Sequence, residues 1–423
     1  MLERVFSVMP PAAALACSAW AAGDLGEPVK TGTLWKLPES EVIRQYLAGE
    51  PYAPIDESSI RVRSQGRITF GGLQPREIEL TWKDGRLGSI LVMVYNKGDD
   101  GPLDKDSFEK KVSRTVKDLD ELTGVPGKRK RVSRRESAVE VNAWEWVLPE
   151  ETGGVLLLEA SSASKKRNFT AEFIRLTMGG GREAVERGDA GDAVSRFDLK
   201  EHVRTENGAV WIDGIPMVDQ GEKGYCVPAA VSRLFAYYGM DGVDQHDMAA
   251  LCGSSGTQGT SSQAMYEGLK KIGARFHVRI DELDKTGDAY SWIKDYDKIA
   301  KRRKEKQLAS YGPVSAWDLA DPDILRSVRA GKPAQVEKWM KPIRQNIDRG
   351  IPVLWSVTLG VFRESVALPQ SRGGHMRLII GYNDENKTIL FTDTWGKGHE
   401  LKEMTAADAC SMTHRRYVLR PTR

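Results

Sequence analysis

The chain has 423 residues, 40% hydrophobic and 29% charged, the composition of a globular protein with room for two or three domains. A formal net charge of +3 excludes the broad basic field that would argue for nucleic acid or an anionic membrane as partner. No internal repeat and no long low-complexity tract is present.

The N-terminus reads as an export signal. Met1-Leu2-Glu3-Arg4 is a short n-region, and an alanine-rich apolar stretch runs over 5–22. Ala19-Trp20-Ala21 supplies a small-x-small cleavage pattern, and polar sequence starts at Gly23-Asp24. Glu3 and the Pro10-Pro11 break depart from the usual pattern. Cys17 allows a lipoprotein anchor instead, although Ala14, three places earlier, matches that motif poorly. No other stretch reaches the roughly 18 uninterrupted apolar residues that a spanning helix needs. The expectation is a signal peptide over 1–22 and a soluble mature protein, periplasmic or extracellular.

Residues 30–180 read as an N-terminal α+β domain. Ile68-Thr69-Phe70 and the run 77–82 alternate at period two, Asp84-Gly85 is a hairpin turn, and 88–95 continues as a strand. A helix is expected over 107–122, with Phe108, Val112, Val116, Leu119 and Leu122 on one side and Gly124 as its stop. Strand-like runs follow at 138–147, 154–160 and 170–177. This half shows no chemical constellation, and its role is not legible. The basic run 128–135 reads as a solvated loop, with proteolytic processing or an anionic polymer as alternatives. From Gly179-Gly180-Gly181 to about residue 208 the chain is charged and poor in apolar residues, hence a linker over 181–208.

A second domain is expected over 209–423. Helices are expected at 227–238, 244–251 and 261–272, then a charged, mostly helical insertion over 281–345. The helix through 340–349 stops at Gly350, and strands are expected at 353–358, 376–382 and 388–392. The turn Asn383-Asp384-Glu385-Asn386 joins the last two, so His375 and Asp393 fall at the outer ends of one hairpin. Helices first and an antiparallel sheet afterwards make an α+β pattern. The chain has no His-Glu-x-x-His and no Cys-x-x-Cys motif, so no metal or other cofactor is expected. The acidic run 241–247 lacks calcium-loop spacing, and Asp244 reads as a helix N-cap.

Cys226 carries the chemistry. The glycine-punctuated loop Asp219-Gln220-Gly221-Glu222-Lys223-Gly224-Tyr225 ends at this cysteine, and an apolar helix with Pro228 in its first turn begins there. A helix N-terminus favours an anion, which depresses a thiol pKa. His375 opens a strand and can take the thiol proton; His399 is its competitor in the same region. Asp393, 18 positions after His375 (393 minus 375), can orient the imidazole. Gln220, six before Cys226 (226 minus 220), offers an oxyanion donor beside the Cys226 backbone N–H. Of the other cysteines, a Cys252–Cys410 disulfide would leave Cys226 free, while three buried thiols are the alternative.

The order Gln220, Cys226 opening a helix, distant His375, then Asp393-Thr394-Trp395-Gly396 resembles the papain-like cysteine peptidases. It is most similar to the bacterial branch related to bacteriocin leader peptidases, the C39-like group. The stretches 259–265 and 347–353 resemble the family's second helix entry and its approach to a central strand. The resemblance covers about 209–423. It implies a papain-like catalytic domain, preceded by the separate α+β domain, and an exported cysteine peptidase acting on peptide or protein substrates. Cys226 would be nucleophile, His375 base, Asp393 its orienter and Gln220 the oxyanion donor. An acyltransferase or amidase using the same thioester, and an inactive papain-like binding module, are the alternatives. Val227 stands where the family often has glycine, so a narrowed cleft is expected. No membrane segments and no nucleotide-binding motif accompany the domain, so export-coupled leader processing is not implied.

Overall fold

The computed structural model of the chain describes residues 23–422 apart from 65, 132–138, 153, 166–167, 186–197, 241–242, 255–258, 274–275 and 285–289. The export segment with Cys17, half of the basic run, much of the expected linker and Asp241-Gly242 lie outside the described residues. Among the described residues no helix is long and apolar enough to cross a membrane.

Two antiparallel sheets organise the chain. The first contains β1 (Tyr52–Pro54), β2 (Ser59–Arg63), β3 (Glu77–Lys83), β4 (Arg86–Asn96), β5 (Lys128–Lys130), β6 (Val139–Val147), β7 (Val155–Lys165) and β8 (Asn168–Gly179), in the order β1-β2-β3-β4-β8-β7-β6-β5. Asp84 and Gly85 both take positive φ, 52° and 74°, the primed turn geometry that matches strand twist. The short helices α1 (Gly26–Lys30), α2 (Glu39–Tyr46) and α3 (Lys97–Asp100) accompany α4 (Lys105–Thr123). Asp104 caps α4, Gly124 ends it at φ 73°, and Phe108, Val112 and Leu119 bury its apolar stripe. Val116 and Leu122 pack partly buried against the same core.

Two expectations fail here. Ile68-Thr69-Phe70 is not a strand: Thr69 bridges only Asp24, and Phe70 bridges only Leu73, because Gly71 and Gly72 turn the chain with positive φ. The basic run does not begin as a loop, since Lys128–Lys130 is an edge strand on β6. Its cations find cross-strand partners: Arg129 lies 4.3 Å over Trp144, and Lys130 pairs with Glu145 at 2.8 Å. A charged edge strand also discourages further strand addition.

The second sheet runs β11-β16-β12-β13-β10-β9, with β14 paired to β13 and β15. Its strands are β9 (Val203–Glu206), β10 (Ala209–Ile212), β11 (Val278–Glu282), β12 (Val353–Leu359), β13 (Gly373–Asn383), β14 (Thr388–Thr392), β15 (Lys402–Thr405) and β16 (Thr413–Pro421). β9 falls in the stretch read as linker; Asn207-Gly208, both at positive φ, fold it back on β10. Around this sheet lie α5 (Cys226–Tyr237), α6 (Gln245–Leu251), α7 (Ser262–Ile272), α8 (Ile293–Arg303), α9 (Pro313–Leu319), α10 (Pro322–Arg329), α11 (Pro333–Ile347) and α12 (Ala406–Met412).

α5 is apolar all round because it is buried all round; from Val227 to Phe235 every residue is buried. Polar side chains anchor it. Arg233 donates through Nε to Pro216 O at 2.7 Å and through Nη2 to Thr392 Oγ1 at 2.9 Å, while Tyr238 Oη donates to Leu419 O at 2.7 Å. Of the two alternatives for Cys252 and Cys410, the disulfide does not form: both are free, buried thiols, and Cys410 Sγ points at the Arg329 carbonyl 3.7 Å away.

Buried charges join the two halves. Arg175 of β8 is fully buried and bonds Glu159 at 2.7 Å, Asp244 at 2.7 Å and Asp247 at 3.1 Å, the last two at the start of α6. Asp244 is also the N-cap of α6, as read from sequence. Arg175→Met should therefore strand carboxylates away from water and lower stability by about 3–5 kcal/mol. Urea unfolding followed by tryptophan fluorescence checks this. The exposed seam pair Lys397–Glu57 is the control, and Glu57→Gln should leave the urea midpoint where it is.

Candidate active site

The loop 219–225 delivers the chain to α5 through Tyr225, which sits at the N-cap without a side-chain cap. The N–H groups of the first turn thus stay available to an anion at Cys226. Cys226 is half-buried and lines an open cleft of about 1160 Å³. His375 lines the same cleft from the start of β13.

β13 and β14 pair with Leu378 opposite Thr392, so the residue after β14 returns beside His375. His375 Nε2 donates to Asp393 Oδ1 at 3.0 Å, both side chains fully buried. The Trp395 ring stacks on the imidazole, centroids 4.3 Å apart and planes 5° from parallel, which fixes the ring plane. The other nitrogen, Nδ1, has no hydrogen-bond partner among the described residues, and the Cys226 thiol is close enough to raise the imidazole pKa.

Charge follows geometry. Burial pushes the Cys226 thiol up, but hydrogen bonding and charge from His375, with the backbone at Met376 and Val227, outweigh it and leave the pKa lowered. Burial pushes His375 down, but Asp393 and Cys226 raise it overall. The two shifts favour a thiolate–imidazolium pair. Asp393 is ionised far below the usual carboxylate range: burial opposes this, and Arg377, His375 and Lys402 overcome it.

Gln220 is buried at the same cleft. Its backbone N–H donates to Thr394 O at 2.8 Å, its Oε1 accepts from Thr394 Oγ1 at 2.5 Å, and its Nε2 donates to Lys223 O at 3.1 Å. The amide is held at both ends, and its second N–H has no partner among the described residues. The structure thus brings Cys226, His375, Asp393 and Gln220 together.

His399 is elsewhere. It meets the other edge of Trp395, ring centroids 5.6 Å apart at 71°, and burial and Lys402 lower its pKa. Val227 touches the cleft but packs into the core, so the cleft stays open beside it. Among the described residues no group of three or more His, Cys, Asp or Glu side chains is arranged to hold a metal ion.

Sequence reasoning missed the support beneath Asp393. Arg377 is fully buried and donates Nε to Asp393 Oδ1 at 2.9 Å and Nη2 to Glu364 at 2.7 Å. Lys402 Nζ holds the other Asp393 oxygen. An arginine two places after His375, inside the otherwise apolar run from Met376 to Ile380, was the available signal, since such residues are buried only when paired.

Residues 212–419 match the model of the Peptidase_C39 like family. This stretch, just under half of the chain, is similar to that family. The Peptidase_C39-like region is α+β, with a cysteine-bearing helix packed against an antiparallel sheet that carries the histidine. Among solved structures, xylellain, a cysteine protease from Xylella fastidiosa, is similar at 13% identity, covering 56% of this chain and 94% of that chain with a TM-score of 0.27. No curated protein matches the chain.

The opposed shifts set a pH dependence. A lowered thiol pKa keeps the thiolate as pH falls below the ordinary thiol range, and a raised imidazole pKa keeps the proton on His375 as pH rises past the ordinary histidine range. Iodoacetamide alkylation of Cys226 should thus rise with an apparent pKa below that of a free cysteine. In His375→Ala that pKa should move back up. An unshifted profile in the parent protein would contradict the ion pair.

Proposed function

We propose that the chain is a cysteine peptidase. The observation that carries this is Cys226 at a helix start, sharing the wall of one open cleft with an imidazole whose far nitrogen is 3.0 Å from the buried Asp393 carboxylate. The Cys226 thiolate attacks the substrate carbonyl carbon, and the carbonyl electrons move onto oxygen. The Gln220 amide and the Cys226 backbone N–H receive that oxyanion. Collapse breaks the C–N bond, and His375 gives its proton to the departing amine, leaving a thioester. Water then attacks the thioester as His375 takes its proton; the acid product leaves, and the thiolate–imidazolium pair returns. Asp393 orients His375 throughout.

A cleft of this volume, polar and open along one side, suits an extended peptide or protein chain. Export rests on the alanine-rich segment 5–22 and its cleavage pattern.

A thiol-directed epoxide should label the full-length protein at Cys226, mapped by mass spectrometry, and the protein should hydrolyse peptides. Cys226→Ala should abolish both. His375→Ala should lower kcat/KM by on the order of 10²–10⁴, while His399→Ala should retain most activity. Undiminished hydrolysis in Cys226→Ala would overturn the reading. A product that incorporates added amine in place of water would reassign the enzyme as an acyltransferase.

A further inference from the structure

The N-terminal sheet does more than stand beside the Peptidase_C39-like domain. Residues of the cysteine loop meet the N-terminal half one after another. Asp219 pairs with Arg61 of β2 at 2.9 Å. Gly221, at φ 71°, lies so close to Arg61 that an added Cβ would stand 2.1 Å from Nη1. Lys223 reaches Glu77 of β3 at 2.9 Å and Asp99 of α3 at 3.3 Å. Tyr225 packs on Gly98, where a Cβ would meet its ring at 2.9 Å. The same loop lines the cleft through residues 220–224 and Cys226, and Arg63, Gly98 and Asp99 of the N-terminal half line it too.

Lys223 is the centre of this arrangement. Its side chain has no solvent exposure, so an unpaired ammonium there would be strongly disfavoured. Its backbone carbonyl accepts the Gln220 amide, 3.1 Å from Nε2. One residue therefore ties the oxyanion-loop glutamine to two carboxylates of the N-terminal half. Glu77 is further steadied by Arg61 at 3.5 Å, and Asp99 by the Asn96 amide at 2.8 Å.

We propose that Lys223 is a positioning residue: Glu77 and Asp99 of the N-terminal half hold it, and through its carbonyl they set the Gln220 amide in the oxyanion site. The inference rests on the peptidase reading above. It makes the N-terminal half a part of the active site, acting on transition-state stabilisation while leaving the nucleophile alone. The Cys226–His375–Asp393 unit makes no direct bond to Glu77 or Asp99, so thiol reactivity and oxyanion stabilisation should separate experimentally.

The test uses the full chain with Lys223→Met, Glu77→Gln and Asp99→Asn. For each, the pH profile of iodoacetamide alkylation, kcat and KM on a peptide, and affinity for a peptide aldehyde are measured. The aldehyde forms a hemithioacetal on Cys226 whose oxygen needs the oxyanion donors, so it reports the site without turnover. Lys223→Met is expected to keep the parental alkylation profile, to lose kcat by on the order of 10²–10³ with little change in KM, and to lose aldehyde affinity in proportion. Asp99→Asn, which leaves Glu77 to hold the ammonium, should show a smaller loss of the same kind and serves if Lys223→Met does not fold. The exposed seam variant Glu57→Gln should match the parent throughout. Parental kcat and aldehyde affinity in folded Lys223→Met, or in Asp99→Asn where Lys223→Met does not fold, overturn the inference alone. A parent protein that labels at Cys226 but neither cleaves peptides nor binds the aldehyde overturns the peptidase reading and this inference with it.

Discussion

An ionised carboxylate with no solvent exposure is several kcal/mol out of favour unless positive charge surrounds it. Asp393 meets that condition. Arg377 and His375 share one oxygen, Lys402 takes the other, and Arg233 donates to the backbone carbonyl. The four partners come from three places in the fold: Arg377 and His375 from β13, Lys402 from the start of β15, Arg233 from the middle of α5. The cysteine helix, the histidine strand and the C-terminal hairpin are therefore registered against a single buried charge. Glu364, bonded to Arg377, balances the excess of cations. Removing any one of these groups disturbs the charge balance of the rest, so the orientation of His375 is a property of the network.

The same logic operates at the seam between the sheets. Arg175, Lys223 and Arg61 all meet carboxylates away from water, and in each case one partner belongs to the N-terminal half and another to the cysteine-bearing half. Apolar seams tolerate sliding because dispersion has no direction. Buried ion pairs do not, because a displaced partner leaves an uncompensated charge. The seam thus sets a specific register at the loop that ends in Cys226. His246, its ring 5.6 Å from Tyr225 and 6.3 Å from Phe173, fills the same junction, with burial lowering its pKa to about 4.

Local rules read much of the fold correctly where a single physical cause dominated. The α4 stripe, the Asp84-Gly85 turn, the capped start of α6 and the apolar α5 follow from periodicity, φ preference and capping. They failed where pairing across distance decided the outcome. Lys128–Lys130 became a strand because β6 offered Trp144 and Glu145. Val203–Glu206 joined a sheet because Asn207-Gly208, a strong hairpin signal sitting inside a charged stretch, returned it to β10. The segment after residue 400, with β15, α12 and β16, carried too few strong local cues to be assigned.

The order of residues along the chain already marks the side chains that could do chemistry: a cysteine at a helix start, a histidine and an aspartate at the two ends of one hairpin, and a glutamine in the preceding loop. Those are short-range facts, set by spacing and turn residues. Packing across the whole fold is what puts His375 rather than His399 at the cleft with the thiol, keeps Cys252 and Cys410 unpaired, and holds Lys223 between Glu77 and Asp99 of the N-terminal half. Each of these depends on distances between segments up to 158 residues apart, as for Cys252 and Cys410 (410 minus 252). Distances of that kind come from packing and buried charge, and no local pattern encodes them.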